Sequence, residues 1–236
     1  MFTVEKSRKE IVVETGNAIY RWDGAKGGQL TELILKDGGA RRKVIDAHHP
    51  APNLTLIFPG KACAVADFPT EFKVEYEEKG YLVFSAVSRI ADTLTFEQQY
   101  EVFRESVVFC EFRLVVAPGK SVQIVGAEMG FALDLCGAKH LKVNYVSRDP
   151  YLKQDVTTAH VLAQIKVALD RTEKITADHL LAMTGLDVGW DGTRCYSNRI
   201  EFVLEDNTSI GGEMLGKTAT VSQERAGRWL HTWRLC

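Results

Sequence analysis

Short β-type runs separated by turn residues make up most of this chain, and this pattern restricts its fold more than any other feature. Runs of β-branched and aromatic residues alternate with clusters of Gly, Pro, Asn and Asp. Many short strands at this spacing are typical of β-sandwiches and barrels. We therefore expect a large antiparallel β-sandwich with strands at residues 11–13, 18–22, 30–35, 72–76, 81–87, 94–103, 107–116, 122–126, 199–204, 218–222 and 229–235.

A strict two-residue alternation marks the run at residues 72–77. Phe72, Val74 and Tyr76 are apolar, and the residues that alternate with them are charged. In a strand, residues two apart share a face, so this pattern predicts that Phe72, Val74 and Tyr76 all lie on the buried face of a sheet. The other face of the same sheet is then wet.

The segment from residue 149 to 182 departs from the strand pattern. Apolar residues recur near helical spacing over residues 156–169, and residues 177–183 are also compatible with a helix, so we expect one or two short helices here. Valines and threonines leave a strand as the alternative for residues 161–169. Because no repeat, low-complexity tract or linker interrupts the chain, we expect a single domain over residues 1–236. The apparent strand at the end of the sequence also fits a fragment of a longer multidomain protein.

Composition and charge exclude several classes of protein. Hydrophobic residues make up 45% of the chain and charged residues 25%, which is typical of a globular protein whose core needs no metal or disulfide. The formal net charge is -2, so the chain lacks the basic surface of a nucleic-acid-binding protein. Its one basic cluster, Arg41–Lys43, is predicted to be a solvated turn.

The cysteines and the N-terminus bear on the cellular compartment. The five cysteines are an odd number at wide spacings with no CxxC pair, which fits free thiols in a reducing cytosol rather than a disulfide framework or a zinc site. Met1–Lys6 contains no apolar signal segment, and no run approaches the roughly 18 apolar residues that span a bilayer. We therefore expect a cytoplasmic protein with no membrane partner and no metal.

Two double-glycine turns lie close together, at Asp23–Gly28 and Asp37–Gly39. Glycine permits tight backbone, so each turn serves either a chain reversal or the close approach of a ligand. The Gly27–Gly28 pair lacks the GxxxxGKS/T pattern of a phosphate-binding loop and precedes a predicted strand rather than a helix. No nucleotide cofactor is therefore expected.

The segments Asn17–Trp22 and Gly27–Gly38 resemble the opening of galactose-mutarotase-like domains, in which a strand, a glycine turn and a strand leading to a second glycine follow one another. The runs at residues 94–103 and 107–116 are similar to the central hairpins of that group. The resemblance implies a β-supersandwich, a fold that occurs in sugar epimerases and as a non-catalytic domain of glycoside hydrolases and polysaccharide lyases.

The same resemblance directs attention to His48 and His49. Aldose 1-epimerases of this group carry an Asn-His pair before an aromatic-Asn-Leu stretch, then a second histidine and a late glutamate. The segment His48–Leu54 matches this pattern only in outline, and Glu213 is the late carboxylate to test as a base. His48 and His49 would face opposite sides of a regular strand, so a polar loop is the alternative to a catalytic pair.

Aromatic residues beside glycines and charges are the candidates for ligand binding. Sugars bind through C–H faces stacked on aromatic rings and through hydroxyls held by charged side chains. Trp190, Asp191 and Arg194 lie together beside glycines, and Trp22 precedes Asp23 in a similar turn. The alternative for both tryptophans is a turn in which the ring plugs the edge of the sandwich.

These observations favour a carbohydrate-associated β-sandwich domain that acts as a non-catalytic binding or structural module of a glycoside-active protein. Two alternatives stay open. One is a sugar-active enzyme, either aldose 1-epimerase-like or a glycosidase, in which a histidine acts as acid and Glu213 as base. The other is an oligomerisation scaffold, which a large exposed apolar patch would favour.

Overall fold

The structure is a computed structural model of the chain. It describes residues 1–37, 39–134, 140–147, 161–168, 199–203, 209–213, 218–225 and 228–235. These residues form antiparallel β-sheets, together with two one-turn 3-10 helices at Gly24–Lys26 and Val65–Asp67. The all-β sandwich predicted from the succession of short runs is confirmed.

The chain divides into two compact units, Met1–Ala132 and Leu133–Cys236. Twelve strands begin in the first unit: β1 Thr3–Lys6, β2 Glu10–Glu14, β3 Ala18–Asp23, β4 Gln29–Asp37, β5 Ala40–Ile45, β6 Asn53–Phe58, β7 Lys61–Ala64, β8 Phe72–Glu78, β9 Tyr81–Ala91, β10 Leu94–Phe103, β11 Val108–Val116 and β12 Gly126–Asp134. The described strands of the second unit are β13 His140–Ser147, β14 Val161–Ala168, β15 Arg199–Val203, β16 Ser209–Glu213, β17 Thr218–Arg225 and β18 Arg228–Leu235. A single domain over residues 1–236 stays a prediction.

Two sheets form the sandwich of the first unit. Sheet I has the strand order β1-β2-β3-β4-β5, and sheet II has the order β11-β10-β9-β8. Both are meanders, because each strand pairs with its neighbour in sequence. Burial alternates along β3 and β10, so each sheet has an inner and an outer face. In the same unit, β6 pairs with both β7 and β12.

Aromatic rings on the inner faces join sheet I to sheet II. Trp22 of β3 is 1% exposed, and its ring lies 5.0 Å from that of Phe84 in β9 and 5.6 Å from that of Tyr100 in β10. Tyr20 stacks on Trp22 at 5.7 Å from the sheet I side. Buried aromatic residues contribute large apolar areas and favour edge-on and offset contacts, so this cluster forms the centre of the core.

The first glycine turn packs against the chain's own segments. A Cβ atom at Gly27 would overlap the carbonyl oxygen of Val65, and a Cβ atom at Gly28 would lie 2.7 Å from the Cβ of Ala86. The side-chain amide of Gln98 donates a hydrogen bond to the carbonyl of Gly27 at 2.6 Å. Neighbouring atoms of the protein therefore occupy the positions that side chains at Gly27 and Gly28 would take. This space is not open to a ligand.

A register shift in β8 changes which face Tyr76 occupies. Val74 and Tyr76 pair with consecutive residues of β9, so the pairing skips Glu75. One extra residue in a strand moves the later side chains to the opposite face. Phe72 is buried, whereas Tyr76 is 51% exposed. The prediction that Phe72, Val74 and Tyr76 share the buried face is therefore wrong for Tyr76.

Strands of the second unit form a sheet with the order β14-β13-β15-β16 and the hairpin β17-β18. Val161–Ala168 is strand β14, so the helix predicted over residues 156–169 is wrong in this part. Every residue of β14 pairs with β13, and this long-range pairing outweighs the helical spacing of its apolar residues. The possible helix at residues 177–183 lies outside the described residues.

Two further expectations concern thiols and membranes. Cys63 and Cys110 are free thiols, and burial raises the pKa of Cys110 well above its ordinary value. Cys110 is half-buried on β11 opposite Tyr100, where its thiol packs as a small apolar group. No helix within the described ranges has the length and apolarity that a membrane crossing requires.

The crowding at Gly27 can be tested against a glycine with the same kind of backbone and open surroundings. Gly27 and Gly119 have similar positive φ, at 64° and 72°, but a Cβ at Gly119 would meet open space. We expect Gly27→Ala to lower the free energy of unfolding by about 1–3 kcal/mol more than Gly119→Ala, because overpacking adds to a backbone strain that both share. Urea denaturation of both variants measures the difference, and equal losses would contradict the packing of this turn.

Candidate functional site

His48 and His49 lie in a turn between β5 and β6 rather than in a strand. The backbone N–H of His49 donates to the carbonyl of Asp46 at 3.0 Å, and that of His48 donates to the Asp46 carboxylate at 3.0 Å. The Nδ1 atom of His49 lies 3.3 Å from the same carboxylate oxygen. Asp46 therefore holds the turn and orients one imidazole. This arrangement fits the polar loop that the sequence left as the alternative.

Trp22 and Asp23 have local structural partners. The Trp22 ring lies in the aromatic core of the first unit, as described above. The Asp23 carboxylate accepts a hydrogen bond from the backbone N–H of Ala25 at 2.8 Å and so caps the 3-10 helix Gly24–Lys26. These positions support the packing alternative for Trp22, in which the ring fills the sandwich.

The remaining sequence-predicted residues stay predictions. Trp190, Asp191 and Arg194 lie outside the described residues. Glu213 is the last residue of β16, where its backbone pairs with Arg199. In the part of the chain that the structure describes, no group of three or more His, Cys, Asp and Glu side chains could hold a metal ion.

The outer face of sheet II carries a row of four aromatic rings, one from each strand. The aromatic row consists of Tyr76 in β8, Tyr81 in β9, Phe103 in β10 and Phe109 in β11. Successive ring centroids are 6.0, 4.7 and 5.8 Å apart. Adjacent strands are about 4.8 Å apart, so the row runs across the strands for about 14 Å.

Carboxylates flank the two tyrosines of the aromatic row. The Tyr76 hydroxyl donates to Oε2 of Glu78 at 2.8 Å, and the Tyr81 hydroxyl donates to Oε2 of Glu101 at 2.6 Å. The hydrogen bond to Glu101 raises the pKa of Tyr81 to about 12, and that to Glu78 raises the pKa of Tyr76. Both phenols therefore stay neutral near pH 7, and the carboxylates keep further lone pairs that can accept hydrogen bonds.

The ends of the aromatic row are open to solvent. Phe109 is 58% exposed and Tyr76 is 51% exposed, whereas Tyr81 and Phe103 are half-buried. Successive ring planes are inclined by 56°, 38° and 88°, so the rings form an uneven apolar surface, and the adjacent carboxylates present acceptors along its side. This combination is suited to a ligand that has both C–H faces and hydroxyl donors.

Sequence reasoning missed the aromatic row because its members come from four separate strands. Tyr76 reaches the outer face only through the register shift in β8, which the alternation at residues 72–77 conceals. A usable signal existed for Phe103, which lies on the polar side of its strand. Along β10, Thr95, Glu97, Gln99 and Glu101 share its parity, and an aromatic residue among such side chains indicates an exposed ring.

Sheet I has a different outer face, on which charges pair with one another. Arg21 lies 2.7 Å from Glu10 and 3.3 Å from Glu32, and Lys43 also pairs with Glu32. Burial raises the pKa of Glu32, but hydrogen bonds from Lys43 and Arg21 outweigh burial and lower the pKa overall. Because Arg41–Lys43 lies within strand β5, the turn predicted there is wrong, although none of the three side chains is buried. These charges link neighbouring strands of sheet I.

Comparisons with known proteins bear on the fold. No protein-family model matches the chain, and no curated protein matches it. Among solved structures, it is similar to the α-N-acetylgalactosaminidase NagBb from Bifidobacterium bifidum, in complex with Gal-NHAc-DNJ. The TM-score is 0.61 at 12% identity, and the alignment covers 94% of this chain and 32% of that one. The chain thus spans about a third of the length of that protein, and the likeness shows the fold.

The hydrogen bond between Tyr81 and Glu101 can be tested by titration. Because the folded-state pKa of Tyr81 is raised, the stability that this bond contributes is fully present below about pH 10 and is lost as the pH rises through about 12. Glu101→Gln should move the pKa of Tyr81 back towards 10. Tyr20 is a matched control, because burial rather than a carboxylate raises its pKa to about 12. Carbon NMR of the tyrosine Cζ atoms follows both groups, and an unchanged Tyr81 would contradict the contact.

Proposed function

We propose that this chain is a carbohydrate-binding β-sandwich module of a glycoside-active protein, and that the aromatic row binds the ligand. The observation that carries the proposal is the row of four neighbouring rings, exposed at Tyr76 and Phe109, with two hydrogen-bonded carboxylates on the same sheet face. Sugar rings stack their C–H faces on aromatic side chains, and their hydroxyls donate to carboxylates. A row about 14 Å long suits an oligosaccharide better than a monosaccharide.

The likeness in fold supports the context of a larger protein. The neighbouring structure is a glycosidase of which this chain spans about a third, so a sandwich of this kind occurs as one part of a glycoside-active enzyme. We infer that the chain plays the corresponding accessory part. We also infer that its fold is the β-supersandwich of galactose-mutarotase-like domains, which the segments Asn17–Trp22 and Gly27–Gly38 suggest.

Binding to a panel of soluble glycans tests this function. The panel contains neutral polysaccharides and oligosaccharides, among them glycans with galactose and N-acetylgalactosamine, and binding is measured by affinity electrophoresis and isothermal titration calorimetry. Tyr76→Ala and Phe109→Ala each remove an exposed ring, and we expect each to weaken binding about twofold to tenfold, since one aromatic contact contributes about 0.5–1.5 kcal/mol.

A matched control separates the aromatic row from the rest of the face. Val87 lies in β9 on the same outer face as Tyr81 and is also 51% exposed, so Val87→Ala should leave the affinity unchanged. Thermal unfolding confirms that the three variants fold. If the wild-type chain binds no glycan of the panel, the proposed function is wrong. If it binds and the ring variants bind equally well, the ligand lies elsewhere.

One observation favours a second candidate function, that of a sugar-active enzyme. The contact with Asp46 orients the His49 ring through its Nδ1 atom, and an imidazole held in this way is a common general acid or base. A polarimeter shows whether the protein accelerates the mutarotation of freshly dissolved α-galactose, and whether His49→Ala abolishes the effect. Glu213→Gln tests the late carboxylate as the base in the same assay. A rate equal to that of buffer alone would exclude this activity for galactose.

A further inference from the structure

Strand β11 is an edge strand with exposed apolar side chains. In the described part of the chain, β10 is its one partner, so the other edge of β11 offers a row of backbone N–H and C=O groups. Phe109 is 58% exposed, Leu114 41% and Val115 40%. Long apolar edge strands are templates for pairing with another strand, and proteins usually protect them with proline, lysine or a bulge. Val108–Val116 contains no proline or lysine, and its pairing with β10 is regular.

The sequence of β11 is complementary to itself in the antiparallel direction. If two copies pair about Phe112, each Glu111 lies opposite the Arg113 of the other copy. The same register places Phe109 opposite Val115 and Cys110 opposite Leu114. Directly opposite residues in an antiparallel pair lie on the same face of the sheet, so charge meets charge and apolar meets apolar at each of these positions.

The charges on this edge are available for such pairing. Within one copy, Arg113 donates to Glu111 from Nε at 2.9 Å and from Nη2 at 2.8 Å, and both side chains are exposed. In the paired form, two glutamates and two arginines alternate around a square, and each Arg113 gains the Glu111 carboxylate of the other copy in addition to Glu111 and Glu97 of its own. A register shifted by two residues would place like charges opposite each other, so the pattern selects the register centred on Phe112.

From this self-complementarity we propose that the protein forms a two-fold symmetric dimer in which the β11 strands of two copies pair antiparallel about Phe112. The partner is a second copy of this chain, because the strand supplies the complement of its own charges. Phe112 fits the axis, since it stacks on Phe96 of β10 at 5.6 Å and is fixed by its own sheet. The result is one continuous sheet that contains sheet II of both copies.

Charge reversal on β11 tests the dimer. Sedimentation equilibrium over a wide concentration range should give a dimer mass for the wild-type chain. Glu111→Arg places two arginine pairs across the axis, and Arg113→Glu places two glutamate pairs there, so each variant should weaken self-association at least about tenfold. An equimolar mixture of the two variants should associate again, because each arginine then lies opposite a glutamate. The double variant Glu111→Arg with Arg113→Glu should dimerise as the wild type does.

The opposite edge of sheet II provides the control. Lys73 and Glu75 of β8 form an equivalent ion pair at 2.7 Å, so Lys73→Glu reverses a comparable charge on a strand outside the proposed contact. This variant should keep the wild-type association, and far-UV circular dichroism confirms that all variants fold. A wild-type chain that stays monomeric at every concentration overturns the proposal. Retention of the dimer in both single β11 variants, or failure of the mixture to associate, also overturns it. None of these outcomes depends on glycan binding.

Discussion

The contact of Trp22 with Phe84 and Tyr100 is the constraint on which the rest of the first unit depends. These rings join sheet I to sheet II and fix which face of each strand is buried. The glycine turn that follows Trp22 is held against sheet II as well, because the side-chain amide of Gln98 donates a hydrogen bond to the carbonyl of Gly27. Once the inner faces are set in this way, the two-residue period of each strand determines which side chains lie on the outer faces.

The outer faces of sheet I and sheet II carry different kinds of side chain. On sheet I, Arg21 and Lys43 share the carboxylate of Glu32, so the charges satisfy one another and link strands. On sheet II, the tyrosine hydroxyls occupy one lone pair each of Glu78 and Glu101, and the rings at the two ends of the aromatic row stay exposed. Sheet II also carries ion pairs, Lys73 with Glu75 and Arg113 with Glu111, but its exposed rings beside acceptors add chemistry that suits a ligand. This difference is the reason to assign the proposed glycan binding to sheet II.

The sequence predicted strands with a regular alternation well, but it predicted poorly the features that depend on pairing with another strand. The run at residues 94–103 coincides with β10, and the run at 107–116 exceeds β11 by one residue, because local alternation is sufficient there. The exposure of Tyr76 depends on a bulge that forms only when β8 pairs with β9, and no local pattern encodes it. Strand β14 was open to two interpretations, and its pairing with β13 decided between them. Strands β1, β5, β6, β7, β13 and β16 were not predicted, and the strand expected at residues 122–126 is wrong, because β12 begins only at Gly126.

The binding face and the self-pairing edge would reinforce each other. A two-fold axis through Phe112 is perpendicular to the sheet, because opposite residues of the two β11 strands share a face. Both aromatic rows would then lie on the same side of one continuous sheet. A monosaccharide would gain nothing from this arrangement, but a polysaccharide that reaches both rows would bind the second at a high effective concentration. A modest contact at each row would thus become a strong attachment to polymeric glycans, which is the property that an accessory module of a glycoside-active protein needs.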